Sequence, residues 1–208
     1  MKKLRFGLVI IILISLIWVI KELFIRRGKE NSDMVVISDS SPSFSFLNQS
    51  GELVSSEDYK GKVYVVEFFF TSCPDICEKM NNNMLFVQNS FFGNADFRIV
   101  SFTVDPENDT EQVLREYGEK LGANTKIWNF LRGEKQDIYN LAQEFFISAN
   151  EDKDSPGGFF HDGNFILIDK RGRIRSRFED GNPKAVYSGT DKKDIYKLID
   201  DIKVLLND

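Results

Sequence analysis

Two cysteines and one histidine are the residues of this sequence with the clearest capacity for chemistry. The cysteines stand four positions apart, in the segment Cys73-Pro74-Asp75-Ile76-Cys77. If Cys77 lies in the first turn of a helix, this spacing places both sulfurs on one helix face, about 5–6 Å apart at Cβ. Such a pair can form a disulfide or bind one metal ion as two thiolates. A helix N-terminus lowers the pKa of a nearby thiol, so the pattern predicts that the thiolate form is favoured.

The histidine, His161, lies in the glycine-flanked segment Gly157–Gly163, just before a predicted strand. A lone histidine in such a loop is more often a surface or hydrogen-bonding residue than a metal ligand. If the strand after it lies beside the strand that precedes the cysteines, however, His161 can reach Cys73 and Cys77. Two thiolates and one imidazole would form a three-coordinate site, which Cu(I) prefers, whereas a closed zinc site requires a fourth protein ligand. A structural disulfide between the cysteines is the alternative.

Alternating strand and helix patterns supply the elements that position these residues. Val63–Phe70 is a run of β-branched and aromatic residues, as expected of a strand covered on both faces. A helix is predicted from Ile76 to Ser90, so the cysteines stand at a strand-to-helix junction. The whole order predicts a three-layer α/β domain with a central mixed sheet. The other predicted elements are a hairpin around Asn48–Gly51, strands at Phe97–Val104, Ile127–Leu131, Asn164–Asp169 and Ile174–Phe178, and helices from Asp109 or Thr110 to Leu121, at Glu134–Phe146 and at Thr190–Leu206.

An acidic run, Asp105–Thr110, follows the predicted strand Phe97–Val104 at the same edge of the sheet as the cysteines. A turn followed by a helix N-cap explains Asp109 and Thr110 without any further function. Asp105 is not explained in this way and could contact the site, but the cap interpretation is favoured for the run as a whole.

Residues 1–27 predict a membrane anchor. Leu4–Ile25 would form about 33 Å of helix, enough to cross a hydrocarbon core of ~30 Å. A cleaved signal peptide is the alternative, but no small-x-small cleavage site follows the apolar run. The cations at positions 2, 3 and 5 favour a cytoplasmic N-terminus and a body outside the cytoplasm, on the periplasmic side of a bacterial inner membrane. Residues 28–42 are polar and predict a tether, and residues 43–208 predict the folded domain.

Charge is distributed unevenly along the chain. Residues 1–27 carry six cations and one anion, a net charge of +5, while the whole chain carries −5, so residues 28–208 carry −10. A body this acidic repels phosphate backbones, which argues against a nucleic-acid partner.

Three segments resemble the Sco/SenC family: Val63–Cys77, the run Thr103–Thr110 and Gly157–Asp169. Members of this family are membrane-anchored proteins with a thioredoxin-like fold that help to assemble the copper sites of cytochrome c oxidase. The resemblance covers most of residues 43–208 together with the N-terminal anchor. This sequence departs from the family at two positions, where Glu78 replaces a usual proline and Asp162 replaces a common small hydroxyl residue.

The resemblance implies a copper metallochaperone. The family's copper ligands correspond here to Cys73, Cys77 and His161, and the cargo would be Cu(I), with Cu(II) also open. The implied acceptor is subunit II of cytochrome c oxidase or another copper-accepting protein. Oxidation of Cys73 and Cys77 to a disulfide would abolish binding, so a thiol reductant is expected as a further partner. Asp162 would then influence copper affinity from beside the ligand.

A thiol–disulfide oxidoreductase that acts on the cysteines of a partner protein is the rival hypothesis. It uses Cys73 and Cys77 but not His161 as a ligand. General reductases of this fold space their cysteines by two residues, one fewer than here, which argues against this hypothesis. A third possibility, an anchored interaction domain with an incidental disulfide, would make the cysteines dispensable.

Overall fold

A computed structural model of the chain describes residues 15–19, 21, 34–74, 76–179 and 181–208. The chain divides into two compact units, residues 1–34 and 35–208. In the first unit, residues 15–19 and 21 are helical. In the described part of the chain, no helix combines the length and the apolar character needed to cross a bilayer. Most of the predicted anchor, residues 1–27, lies outside the described residues.

The second unit is built on a mixed β-sheet. Its strands run in the spatial order β1-β10-β9-β4-β5-β6-β2-β3, with β11 beside β10 and β12 beside β9. A separate two-stranded ribbon joins β7 and β8. The twelve strands among the described residues are β1 (Met34–Ser38), β2 (Ser45–Asn48), β3 (Leu53–Ser55), β4 (Val63–Phe69), β5 (Phe97–Thr103), β6 (Trp128–Arg132), β7 (Ala149–Glu151), β8 (Phe159–His161), β9 (Asn164–Ile168), β10 (Ile174–Glu179), β11 (Asn182–Lys184) and β12 (Tyr187–Ser188).

Four α-helices cover the sheet among the described residues: α1 (Ile76–Ser90), α2 (Glu111–Leu121), α3 (Lys135–Glu144) and α4 (Lys192–Asn207). Phe68 and Phe69 point to opposite faces because side chains alternate along a strand. Phe69 contacts Tyr117 of α2, whereas Phe68 contacts Phe145 at the end of α3. Helix α1 packs against both α2 and α4, so these three helices cover one face and α3 covers the other. The predicted three-layer architecture is therefore confirmed.

Strand β4 lies at the centre of the sheet, and all seven of its residues are buried. It pairs in parallel with β5 and antiparallel with β9. The condition on which His161 can reach the cysteines, that the strand after it lies beside the strand before them, is thus met. Five short strands were not predicted from the sequence, namely β1, β7, β8, β11 and β12. Strand β1 lies within the segment predicted as a tether.

The predicted caps of α2 are also present. Thr110 is the N-cap residue and its hydroxyl accepts a hydrogen bond from the N–H of Val113. Gly122 adopts the left-handed conformation (φ 84°) at the C-terminus, where its N–H bonds to the carbonyls of Gly118 and Glu119. These caps fix the helix that forms one wall beside the cysteines.

Candidate metal centre

Cys73 and Cys77 lie at the carboxyl end of β4, where the strand passes through a short loop into α1. The N–H of Cys73 donates to the carbonyl of Phe70, at 3.4 Å. Cys77 is the second residue of α1, as predicted, and is 2% exposed, whereas Cys73 is half-buried. No disulfide joins these two described residues. The pair therefore presents one accessible and one buried thiol.

His161 reaches the cysteines through the topology of the sheet. It is the last residue of β8, paired with Ala149, and not part of an irregular loop as the sequence suggested. Because β9 runs antiparallel to β4, the residues just before β9 lie near the carboxyl end of β4. The imidazole, 4% exposed, packs edge-on against the ring of Phe70 at a centroid distance of 5.8 Å.

Close packing of the His161 hairpin on the cysteine loop depends on Gly157. This residue has a φ of 79°, and a Cβ there would lie 2.7 Å from the Phe70 ring and 3.3 Å from Pro74 Cδ. Glycine alone adopts this backbone conformation at little cost and leaves room for the aromatic ring. The glycine thus allows the segment that carries His161 to approach the loop that carries Cys73.

The hydrogen bonds of His161 define which ring nitrogen faces the sulfurs. Nδ1 lies 3.2 Å from the carbonyl oxygen of Asp162, and Nε2 lies 3.1 Å from Sγ of Cys77. A carbonyl oxygen only accepts, so Nδ1 carries the proton and Nε2 presents its lone pair to the thiol. An outer hydrogen bond of this kind orients an imidazole for metal ligation.

Cys73, Cys77 and His161 form a cluster whose three ligand atoms all lie within 4.8 Å of one another. Bond lengths of roughly 2.0–2.3 Å to nitrogen and sulfur place the ligands of a trigonal site about 3.5–4 Å apart. A small contraction of the cluster would therefore let one ion contact all three atoms. Among the described residues, no further histidine, cysteine or carboxylate joins this group. Its chemistry fits a soft ion with a low coordination number.

Cys77 does not have the lowered pKa that its helical position predicts. Its hydrogen bond with Cys73 and its burial raise the pKa of the thiol well above the usual range. A dipole effect of the helix N-terminus is small compared with the loss of solvation in a buried site. In the metal-free protein the raised pKa favours the neutral thiol of Cys77, so a metal ion bound there would have to displace a proton.

Asp109 positions the cysteine loop, a role that the sequence analysis missed. Its carboxylate accepts from the N–H of Thr71 at 3.1 Å and from the Thr71 hydroxyl at 2.5 Å. The hydroxyl of Thr103, at the end of β5, donates to the same carboxylate. Asp109 thus ties the residues just before Cys73 to the neighbouring strand. Its place in an acidic turn resembled an ordinary helix cap, so sequence alone did not distinguish the two roles.

Asp105 and Asp162 do not point their carboxylates at the cluster. Both carboxylate oxygens of Asp105 accept from the side-chain amide of Asn108, which supports the interpretation of a local turn. The carboxylate of Asp162 accepts from the N–H of Ser148, and it is the backbone carbonyl of Asp162 that contacts His161. Asp162 therefore acts on the imidazole through its main chain.

Glu67 is a buried carboxyl group in the middle of β4. Its Oε1 accepts from the Ser101 hydroxyl at 2.6 Å, and Ser101 in turn accepts from Trp128 Nε1 at 2.7 Å. Oε2 has no hydrogen-bond partner among the described residues. Burial raises the pKa of Glu67 to about 8, and the Ser101 hydrogen bond opposes this only in part. In the sequence, this buried carboxyl group is indicated only by the one charged residue within the otherwise uncharged run VYVVEFFF.

Comparison with known proteins identifies close relatives of this chain. The family model described as SCO1/SenC matches residues 36–193. A SCO1 protein homolog from Bacillus subtilis is 32% identical over 162 residues, which cover 77% of this chain and 79% of that protein. A putative copper-binding protein from Stutzerimonas stutzeri is 29% identical over 139 residues, or 64% of this chain and 66% of that protein.

A solved structure of BsSco is also similar to this chain. It was described as having a disulfide switch and as a member of the Sco family of cytochrome c oxidase assembly proteins. The TM-score is 0.68 at 29% identity, with 83% of this chain and 96% of that chain covered. The family model's match, residues 36–193, spans most of the second unit and includes the segments that carry the cluster.

Proposed function

The chain belongs to the SCO1/SenC family, and from that membership we propose that it is a copper metallochaperone with Cys73, Cys77 and His161 as the copper ligands. The observation that carries this proposal is the grouping of two sulfurs and one imidazole nitrogen within 4.8 Å. Thiolate and imidazole donors without oxygen ligands suit Cu(I), and three of them satisfy its preference for low coordination. The relative described as a putative copper-binding protein supports the same cargo.

Release of the ion requires exchange of ligands with an acceptor. Cys77 and His161 are 2% and 4% exposed, whereas Cys73 is half-buried. An incoming thiolate or imidazole therefore approaches from the Cys73 side and replaces the protein's ligands one at a time. We propose subunit II of cytochrome c oxidase as the acceptor, because the family resemblance implies it and the related BsSco belongs to a family of oxidase assembly proteins.

The redox state of the cysteines would control this activity. Two thiolates bind copper, whereas a disulfide carries no negative charge with which to bind the ion. The disulfide switch described for BsSco supports the same control here. We also propose that residues 1–27 anchor the chain in a membrane, with the copper-binding domain outside the cytoplasm, where a reductant must keep the pair open.

A thiol–disulfide oxidoreductase remains the second candidate, and the geometry gives one observation against it. An oxidoreductase needs no imidazole lone pair directed at its buried cysteine, yet His161 Nε2 lies 3.1 Å from Sγ of Cys77. Three ligands of one metal ion must bring their donor atoms close together, and this contact does so for the imidazole and the buried sulfur. The donor arrangement therefore favours metal transfer.

An anaerobic titration with Cu(I) against a competing chelator tests the cysteine ligands. The reduced full-length chain should bind one equivalent tightly, and Cys73→Ser and Cys77→Ser should each abolish that tight binding. Lys79→Glu, an exposed change on α1 outside the cluster, serves as the control and should bind as the parent does. A stoichiometric tight site that survives in either cysteine variant would contradict the three-ligand proposal.

A further inference from the structure

A cavity of about 510 Å³ opens beside the cysteines, between α1 and α2. Both sulfur-bearing residues line it, together with Asn81, Tyr117 and residues of both charge signs. Small-molecule sites in proteins are usually clefts or cavities of roughly 300–1,000 Å³. The cavity is therefore of the right size for a compact ligand that reaches the redox-active pair.

Asn81 lines this cavity and carries a buried acceptor atom without a partner among the described residues. The residue is 1% exposed, and its Nδ2 donates to the hydroxyl of Tyr117 at 2.6 Å. Its Oδ1 is buried and has no hydrogen-bond partner among the described residues. Buried amide oxygens are normally paired with a donor. A ligand with an N–H group would supply the missing donor once the Asn81 side chain turns its oxygen into the cavity.

Two exposed residues of opposite charge also line the cavity. Glu78 lies in the first turn of α1, and Lys120 lies in the last turn of α2. A ligand that carries both a carboxylate and an ammonium group can satisfy Lys120 and Glu78 together. With the amide N–H required by Asn81, these groups describe a small peptide-like molecule.

We propose that this cavity binds a small zwitterionic peptide thiol, which reduces the Cys73–Cys77 disulfide. The proposal rests on the proposed function, because copper binding requires both cysteines as thiolates. Cys73 is the accessible partner of the pair and faces the cavity, so the ligand attacks its sulfur.

The reaction balances with two molecules of the thiol. The first, as a thiolate, forms a mixed disulfide with Cys73, while the Cys73–Cys77 bond breaks and Cys77 leaves and takes up a proton. A second thiol attacks the sulfur of the bound ligand and releases Cys73. The products are one oxidised ligand disulfide and two protein thiols, with two electrons transferred to the protein.

Rates of disulfide reduction by two thiols test the proposal. The full-length, metal-free chain is oxidised, and the second-order rate constant for glutathione is divided by that for 2-mercaptoethanol, which lacks charge and amide groups. This ratio corrects for changes in the reactivity of the disulfide itself. We expect it to fall at least threefold in Lys120→Glu and in Asn81→Leu, and to stay unchanged in Lys79→Glu, which makes the same charge change on α1 outside the cavity.

An equal ratio in the parent, Lys120→Glu and Lys79→Glu would overturn the proposal. Because Lys120 is exposed, Lys120→Glu should fold, and it therefore tests the proposal even if Asn81→Leu does not fold. An unchanged ratio combined with slower copper transfer to a two-cysteine acceptor peptide would also overturn it, and would assign the cavity to the protein acceptor instead. No metal is present in the assay, so a reduced ratio supports thiol binding in the cavity even if the protein does not bind copper. Tight copper binding together with an unchanged ratio would refute thiol binding in the cavity but leave the proposed copper site intact.

Discussion

Replacement of Glu67 by glutamine should remove a large pH dependence of stability. The glutamate has a pKa of about 8 in the folded protein, against 4.5 for an ordinary glutamate side chain, because burial disfavours its charged form. The folded state therefore holds a proton that the unfolded state loses between these two values. The stabilisation is complete below pH 4.5 and is lost as the pH rises towards 8. A difference of this size corresponds to about 5 kcal/mol, at ~1.4 kcal/mol per pH unit.

Glutamine is a close neutral mimic of the protonated side chain, and its amide oxygen can still accept from Ser101. Urea unfolding of the reduced, metal-free chain at several pH values between 5 and 8, followed by circular dichroism, measures the effect. Trp128, whose Nε1 donates to Ser101, gives a fluorescence signal from the same network. We expect the free energy of unfolding of the parent to fall relative to Glu67→Gln by about 1.4 kcal/mol per pH unit within this range. Parallel curves for the two proteins would refute the reasoning.

Three further changes test the supports of the site and the domain boundary. Asp109→Ala should lower the unfolding free energy by about 1–3 kcal/mol, because it leaves the donors of half-buried Thr71 and buried Thr103 without their acceptor. It should also speed alkylation of the cysteines, and unchanged urea midpoints and alkylation rates would contradict this role. Gly157→Ala should destabilise the chain by about 1–3 kcal/mol more than Gly158→Ala. Both glycines have a positive φ, but only a Cβ at Gly157 would clash with an aromatic ring. Equal losses of thermal stability in the two variants would contradict this packing. Deletion of residues 1–27 should leave a folded protein that is monodisperse by size-exclusion chromatography, and persistent aggregation would mean that this segment is needed for the fold.

Long elements with strong patterns could be predicted from the sequence because burial imposes those patterns directly. The all-apolar run of β4 and the spacing of apolar residues in α1 each follow from the face that is covered. Short strands such as β7, β8 and β11 have three residues each, too few for a pattern. They form because pairing partners are supplied by the rest of the fold. His161 therefore looked like a loop residue although it ends a strand.

The ligand set was suggested by the cysteine spacing together with the family resemblance, but its supports depend on tertiary structure. Asp109 bonds to a residue 38 positions away, and no local signal marks that contact. The pKa of Cys77 was predicted in the wrong direction because a helix N-terminus is visible in sequence, whereas burial and the contact with Cys73 are not. The orientation of the imidazole by the Asp162 carbonyl is likewise a property of backbone geometry.

The most direct test of the account is an anaerobic Cu(I) competition titration of the reduced chain beside His161→Ala. Loss of one of three donors should weaken copper binding sharply, while formation of the Cys73–Cys77 disulfide stays intact, since His161 takes no part in that bond. The parent is predicted to bind one tight equivalent that the variant loses or binds weakly. Equal copper affinity in both proteins would remove His161 from the site and contradict the three-ligand centre.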